Sequence, residues 1–389
     1  MKNITGQIVI GDDFFGRTKE REEGWELIKK RTSLILADSR RVGKSSFAYK
    51  MRERAEQEKW NYVFCNMQGC RNEEALYNKF ITELERNSQY KKIGKKWKLE
   101  EIEVSPEAMT FRAVALKWKR QSKSNNIYNN LEEILDHTKD TLIVFDELII
   151  FLNKLKGENN ERLKDAVLFL DWLEAIRNVP NSKIRWILCS SLSIDKFLLD
   201  HKIEGKMKGM HRFLIGELKD GEPTGFIDAL AKSKNLIFSE ESKQYTLDKL
   251  GWHLPYFIQL LFSKLPKSDK NIHISTETIE KAYQELLAEA EKQKHFITWV
   301  RHLDTYSKDE GKCAHIILKE LSTRQQGGSK NALELWILSV IRGKDVDEIV
   351  KDLLEKLEQG GYIIQNENKK YLFRSPLLRD FWCNKFVKK

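Results

Sequence analysis

An α/β fold built on a parallel sheet is what the first two-thirds of this chain predicts, and three observations predict it. Short β-rich runs alternate with helical patterns from about residue 33 to residue 217, the order that strand–helix–strand units produce. The strand runs are nearly continuous in apolar residues, as in sheets covered by helices on both faces. From about residue 220 the pattern turns helical, and the chain closes on three helices and a hairpin.

The expected strands are 33–37 (SLILA), 61–66 (NYVFCN), 141–146 (TLIVFD), 184–190 (IRWILCS) and 212–217 (RFLIGE). Helical patterns fill the intervals at 43–59, 73–86, 127–137 and 161–177; in the second, Leu76, Phe80 and Leu84 share one face. The next stretch reads as four helices, 224–233, 240–250, 255–264 and 278–293. Three more follow at 312–322, 331–341 and 346–359. Gly360-Gly361 ends the last, and YIIQ and KYLF then flank the polar turn NENK. Three helices and a two-stranded wing describe a winged helix. The organisation expected is therefore a parallel-sheet core over 1–219, a helical segment over 220–293 and a winged helix over 294–389.

With 389 residues, 41% hydrophobic and 32% charged, the chain can bury a core in each of these parts. No apolar run approaches the roughly 20 residues that cross a bilayer, and MKNITGQIVIGDD offers no apolar stretch of a secretory signal. The expectation is a soluble, cytoplasmic protein with no membrane partner. Cys65, Cys70, Cys189, Cys313 and Cys383 form no CxxC pair, so reduced thiols are expected rather than a disulfide framework or zinc ribbon. Sixty-eight basic against 58 acidic residues give a formal charge of +10, which favours polyanionic partners, nucleotides included.

Much of that excess lies in an insertion at 89–124, where ten Lys and Arg face four Glu. Trp97 and Trp118 stand among these cations and could stack bases, so the insertion is the better nucleic-acid candidate. A solvated charged loop or a surface for a partner protein is the alternative reading. The third helix of the winged helix and its lead-in carry Asp345, Asp347, Glu348, Asp352, Glu355 and Glu358 against Lys351 and Lys356. Such a surface opposes the phosphate term that dominates DNA affinity, and protein docking or autoinhibition suits it better.

The segment SLILADSRRVGKSSFAYKM places Gly43-Lys44-Ser45 between a strand and a helix, the setting of a phosphate-binding loop. Backbone N–H groups of Arg41, Val42, Gly43 and Ser46 would cradle phosphate oxygens at a helix N-terminus. Lys44 would reach the β- and γ-phosphates, and Ser45 would ligate Mg2+. Asp38 stands where the loop pattern has its first glycine. Either its carboxylate turns away from the phosphates, or it weakens nucleotide binding. About 100 residues downstream, TLIVFDE ends in Asp146, placed to hold Mg2+ through water, and Glu147, placed to orient and polarise the attacking water.

Together these segments resemble an AAA+-type P-loop ATPase of the archaeal-ATPase/STAND-related group, and the resemblance spans nearly the whole chain. VIGDDFFGRTKE is similar to the group's entry motif and implies that Arg17 lies near the nucleotide base and lid. KIRWILCSSLSID resembles the sensor-1 strand, which puts Ser191 at the γ-phosphate or attacking water, while Cys189 and Ser190 depart from the usual pattern. GWHLPYFIQLL resembles the lid helix, with Pro255 on the adenine face in place of a sensor-2 arginine. Arg212 falls where an arginine finger or a strand-flanking surface arginine would stand. SPLLRDFW is similar to the group's terminal helix. The resemblance implies an ATP- and Mg2+-dependent molecular switch that couples nucleotide state to assembly, as a homo-oligomer or with an effector protein. Two other readings stay open: a nucleic-acid-binding regulator with ATP only as ligand, and an ATPase adaptor of an effector complex in antiviral defence or mobile-element biology.

Overall fold

The computed structural model describes residues 1–86, 140–191, 193–292, 296–303, 306–341 and 346–388. The insertion at 89–124 and the helix expected at 127–137 lie outside the described residues, as does Asp345. Two compact units divide the chain: a sheet unit of Arg17–Asp38 and Lys44–Ile215, and a helical unit of Met1–Gly16, Ser39–Gly43 and Gly216–Lys389.

In the sheet unit, β1 (Leu34–Ala37), β2 (Asn61–Asn66), β3 (Thr141–Asp146), β4 (Ile184–Ser190) and β5 (His211–Arg212) form one sheet in the order β2-β3-β4-β1-β5. All four pairings are parallel. Every residue of β1, β3 and β4 is buried, which explains their unbroken apolar runs. Helices α1 (Thr18–Lys29), α2 (Lys44–Gln57), α3 (Glu73–Arg86), α4 (Leu148–Lys156), α5 (Leu163–Arg177) and α6 (Ser193–Asp200) accompany the strands. Phe80, Phe145, Phe151, Phe169, Trp172 and Trp186 form the aromatic centre of the core.

The expected strand at 212–217 is shorter than its pattern, because β5 ends at Arg212. Beyond it, Phe213 N–H still donates to the Ile35 carbonyl at 3.0 Å. At Ile215 side chains replace the ladder. Its N–H donates to the Asp38 carboxylate at 3.1 Å, and its carbonyl accepts from the Arg17 guanidinium at 2.9 Å.

The helical unit carries α7 (Glu222–Lys232), α8 (Glu240–Leu250), α9 (Pro255–Lys264) and α10 (Thr276–Lys292). The stretch is not purely helical as expected: β6 (Leu236–Phe238) and β7 (Ile272–Ile274) pair in parallel within it. Only three residues long, with Ile237 and His273 exposed between them, these strands leave no periodic trace. After α11 (Ile297–Leu303) come α12 (Lys308–Ser322), β8 (Gly328–Ser329), α13 (Lys330–Ile337), α14 (Val346–Gln359), β9 (Ile363–Gln365) and β10 (Lys370–Phe373). This is the order of a winged helix, with a three-stranded sheet β8-β10-β9 in which β8 is the strand not expected. The terminal helix α15 (Pro376–Phe386) follows.

One buried cluster runs through all of this unit: Phe257, Phe296, Trp299, Tyr362, Phe381 and Trp382 belong to it together. Ser375 Oγ donates to the Leu250 carbonyl at 2.7 Å, and Tyr283 Oη donates to Asp380 at 2.8 Å, tying α15 back to α8 and α10. Ser307 and Glu310 form a capping box at the start of α12. Helix α14 buries Val350, Leu353, Leu354 and Leu357 and exposes Asp347, Glu348, Lys351, Asp352 and Glu355. Lys356 is engaged by Glu310.

Candidate active site

The phosphate loop runs from the end of β1 at Ala37 to the start of α2 at Lys44. Its sharp path needs two left-handed residues, Arg41 (φ +67°) and Gly43 (φ +98°). At Gly43 the backbone angle alone demands glycine, since nothing lies within 4 Å of the place a Cβ would occupy. Lys44 Nζ donates to the Asp38 carbonyl at 2.7 Å, so the lysine closes the loop on itself. Burial lowers the Lys44 pKa, while the carboxylates of Asp38, Glu147 and Asp146 hold it up.

Asp38 carries its carboxylate to the Ile215 N–H, as described above. The side chain is engaged by a backbone donor of its own unit. Arg17, only 2% exposed and itself left-handed at φ +55°, grips the carbonyl of the same residue, Ile215.

At the end of β3, the Asp146 carboxylate accepts from the Glu147 N–H at 3.1 Å and has the Ser45 hydroxyl of α2 as a polar neighbour. Asn66, its register partner on β2, offers an amide at 3.5 Å. Asp146 is 3% exposed. Burial pushes its pKa up to about 6; Glu147 adds to the rise, and the Ser45 hydroxyl, the Glu147 N–H and Lys44 oppose it. Glu147 is half-buried at the head of α4 in a left-handed conformation, φ +62°. Non-glycine residues persist there only when their surroundings hold them, which places them often at functional sites.

Between these strands lies β4, whose Ser190 is the register partner of Ala37. Ser191 follows as the first residue beyond the strand, half-buried, and its carbonyl accepts from Ile194 N–H at 3.1 Å. Ser190 is buried and its hydroxyl has no hydrogen-bond partner among the described residues. Burial raises the Cys189 thiol pKa well above its usual value; Asp146, Lys44 and Glu147 are its charged neighbours. Ser46 stands half-buried in the first turn of α2.

Lys44, Ser45, Asp146 and Glu147 are thus brought together in the sheet unit. Arg41, Val42 and Pro255 belong to the helical unit. There Val42 is fully buried, the Arg41 guanidinium lies 4.6 Å from the Tyr256 ring centroid, and Pro255 opens α9 at its first position. Arg212 is half-exposed and ion-paired with Asp195. Asn66 carried no motif and escaped the sequence reading; only the pairing of β2 with β3 reveals it. Ser190 figures there only as a departure within the segment similar to sensor 1, with no role of its own.

No family model matches the chain, and no curated protein matches it. Solved structures do. The Walker-type ATPase PABY2304 of Pyrococcus abyssi is similar over 95% of this chain and 96% of its own, with a TM-score of 0.63 at 16% identity. The fold is that of a P-loop ATPase. Weaker likenesses are to the ORC2 protein of Aeropyrum pernix (TM-score 0.44, 12% identity, 97% of this chain and 96% of that one). A RuvB mutant of Thermotoga maritima gives a TM-score of 0.42 at 12% identity, covering 93% of each chain. Within the P-loop ATPase fold, the loop after β1 and the acids at the end of β3 stand at the carboxyl ends of two parallel strands that flank β4, where ligands of open α/β sheets bind. Among the described residues no helix is long and apolar enough to cross a membrane.

Proposed function

We propose that this chain binds ATP with Mg2+ and hydrolyses it, acting as an AAA+/STAND-like switch that couples nucleotide state to assembly or partner binding. The observation that carries the reading is that Ser45, on the phosphate-loop helix, neighbours Asp146, at the end of β3, closely enough for its hydroxyl to lower the Asp146 pKa. These are the two oxygen donors that a P-loop site directs to Mg2+. Two protein donors are too few to hold a magnesium ion alone, and among the described residues there is no cluster of three acidic, His or Cys ligands. That fits an ion that arrives with its phosphates and keeps several waters. A divalent cation beside Asp146 would also favour the ionised carboxylate, which burial alone disfavours.

In this reading Lys44 leaves the Asp38 carbonyl for the β- and γ-phosphate oxygens. The loop N–H groups from Arg41 to Ser46 accept the remaining charge. Glu147 orients the attacking water and takes its proton, and Ser191 contacts the γ-phosphate or that water. Pro255 packs on the base. The acidic exposed face of α14, with Lys356 already engaged by Glu310, supports docking of a protein rather than DNA on the winged helix. The test is calorimetric titration of the whole chain with ATP and ADP in Mg2+, together with phosphate release and size measured on the same sample. Binding of ATP with slow turnover and a change of size supports the switch. No heat of binding at millimolar ATP sinks it.

A further inference from the structure

The segment Ser39–Gly43 is held by the C-terminal module of its own unit. Ser39 is buried, and its hydroxyl donates to the main-chain carbonyl of Gln359, the last residue of α14, at 3.0 Å. Carbonyls in the last turn of a helix have no partner within the helix, so the bond serves the helix end as well as the loop. Two residues on, Gly361 turns the chain at φ +78°. A methyl group built there would lie 2.5 Å from Trp252 Cη2 and 3.2 Å from Ser39 Oγ. Ser39, Trp252 and the α14–β9 turn therefore meet at one point, with no room for a side chain between them. The rest of the segment is held as well. The positive charge of Arg40 acts on half-buried His302, Arg41 lies on Tyr256, and Val42 is enclosed by the unit's hydrophobic cluster.

We propose that Ser39 is a positioning residue through which the C-terminal end of α14 sets the shape of the phosphate loop, so that nucleotide affinity depends on the winged helix. The proposal rests on the nucleotide-binding reading above. A loop that samples several shapes binds phosphate only through the competent fraction, and affinity falls with that fraction. Tying Ser39 to Gln359 raises the fraction. Coupling of this kind is reciprocal: nucleotide bound at the loop must in turn stabilise the end of α14.

The test is a double-mutant cycle read by equilibrium binding of a fluorescent ATP analogue to Ser39→Ala, Gly361→Ala and the double variant. A lost neutral hydrogen bond predicts about 2- to 12-fold weaker binding for each single variant. Because both break the same contact, the double variant should bind no more weakly than the weaker single. Ser39→Thr, which keeps the hydroxyl, should restore most of the affinity. Wild-type affinity in Gly361→Ala, or losses that multiply in the double variant as independent sites do, would overturn the proposal. Should Gly361→Ala not fold, hydrogen exchange on the wild-type chain decides. ATP should slow exchange both in the phosphate loop and in residues 353–363. Slowing in the loop alone refutes the coupling. No slowing in either, with no binding, overturns the nucleotide reading itself and the proposal with it.

Discussion

Neutralising Asp146 should make the nucleotide-free protein more stable, although it removes a residue on which the proposed chemistry depends. The carboxylate is buried at the end of β3, and burial lifts its pKa from 3.8 to about 6. The sign follows from linkage: the folded state holds this proton more tightly than the unfolded chain does. The stability it confers is complete below pH 3.8 and is lost as pH rises through about 6. At roughly 1.4 kcal/mol per tenfold change in acid constant, the ionised group costs up to about 3 kcal/mol at pH 7 to 8. Asp146→Asn removes that charge while keeping an oxygen for the Glu147 N–H and an amide for the Ser45 hydroxyl. For a unit of this size, each kcal/mol moves the melting temperature by roughly 2–4 °C, so the gain should reach about 6–12 °C at pH 8 and vanish near pH 4. Thermal melts of both proteins from pH 4 to 8, without nucleotide or divalent cations, measure it. Added Mg2+ and ATP should then stabilise the wild type and leave the variant almost unmoved. A variant less stable than wild type at pH 8, or a difference independent of pH, would refute the reasoning that burial, rather than a compensating cation, governs this carboxylate.

Lys44→Ala should weaken ATP binding by about 10- to 1,000-fold in calorimetry. The lower bound comes from one charged hydrogen bond of about 1.5–3 kcal/mol, the upper from a Coulomb term of about 4 kcal/mol at 4 Å and an effective dielectric near 20; a change below threefold removes Lys44 from the phosphates. Glu147→Gln should keep ATP affinity and lose turnover, since an amide preserves shape but takes no proton; wild-type phosphate release by this variant would take the water-orienting role from Glu147. At Glu310 burial acts to raise the pKa, but Lys356 and the Ser307 hydroxyl and N–H outweigh it and bring the pKa down to about 2. Its contribution is therefore complete above pH 4.5 and lost as pH falls from there toward about 2. Glu310→Gln should destabilise the chain by about 1 kcal/mol or less at pH 7, as for a partly exposed pair that solvent still screens. Melts at falling pH should show the gap closing; a gap unchanged at pH 3 would contradict the assignment.

The parts of the fold that were legible in the sequence are those where chemistry constrains residue types at short range. RRVGKSS between an apolar strand and a helix announces a phosphate loop because the left-handed turn, the cation and the hydroxyl must stand at fixed spacing. TLIVFDE draws notice because its acids close an apolar strand about 100 residues after that loop, although acids at a strand end are often only solvated. Helix α14 was legible to the residue, since Val350, Leu353, Leu354 and Leu357 repeat at helical spacing and Gly360-Gly361 stops them. What escaped were short elements and distant partners. The strands β6, β7 and β8 are two or three residues long, too short for a period of two to show. The apolar run at 212–217 has strand composition throughout, yet its second half is held by Asp38 and Arg17, 177 and 198 residues away in sequence.

Asp38 shows how such a distant partner changes the meaning of a local departure. Judged within the loop alone, an acid in the first glycine's place is a liability, because it brings negative charge toward phosphate. In the folded chain its carboxylate is committed to the Ile215 N–H, and its carbonyl is the group that Lys44 grips. The conformational freedom a glycine would supply is provided further along, at Arg41 and Gly43, the two left-handed positions of the loop. Replacing Asp38 by glycine would therefore not restore a missing function. It would free the Ile215 amide and loosen the start of the loop, while the turn that needs a left-handed backbone would remain where it is.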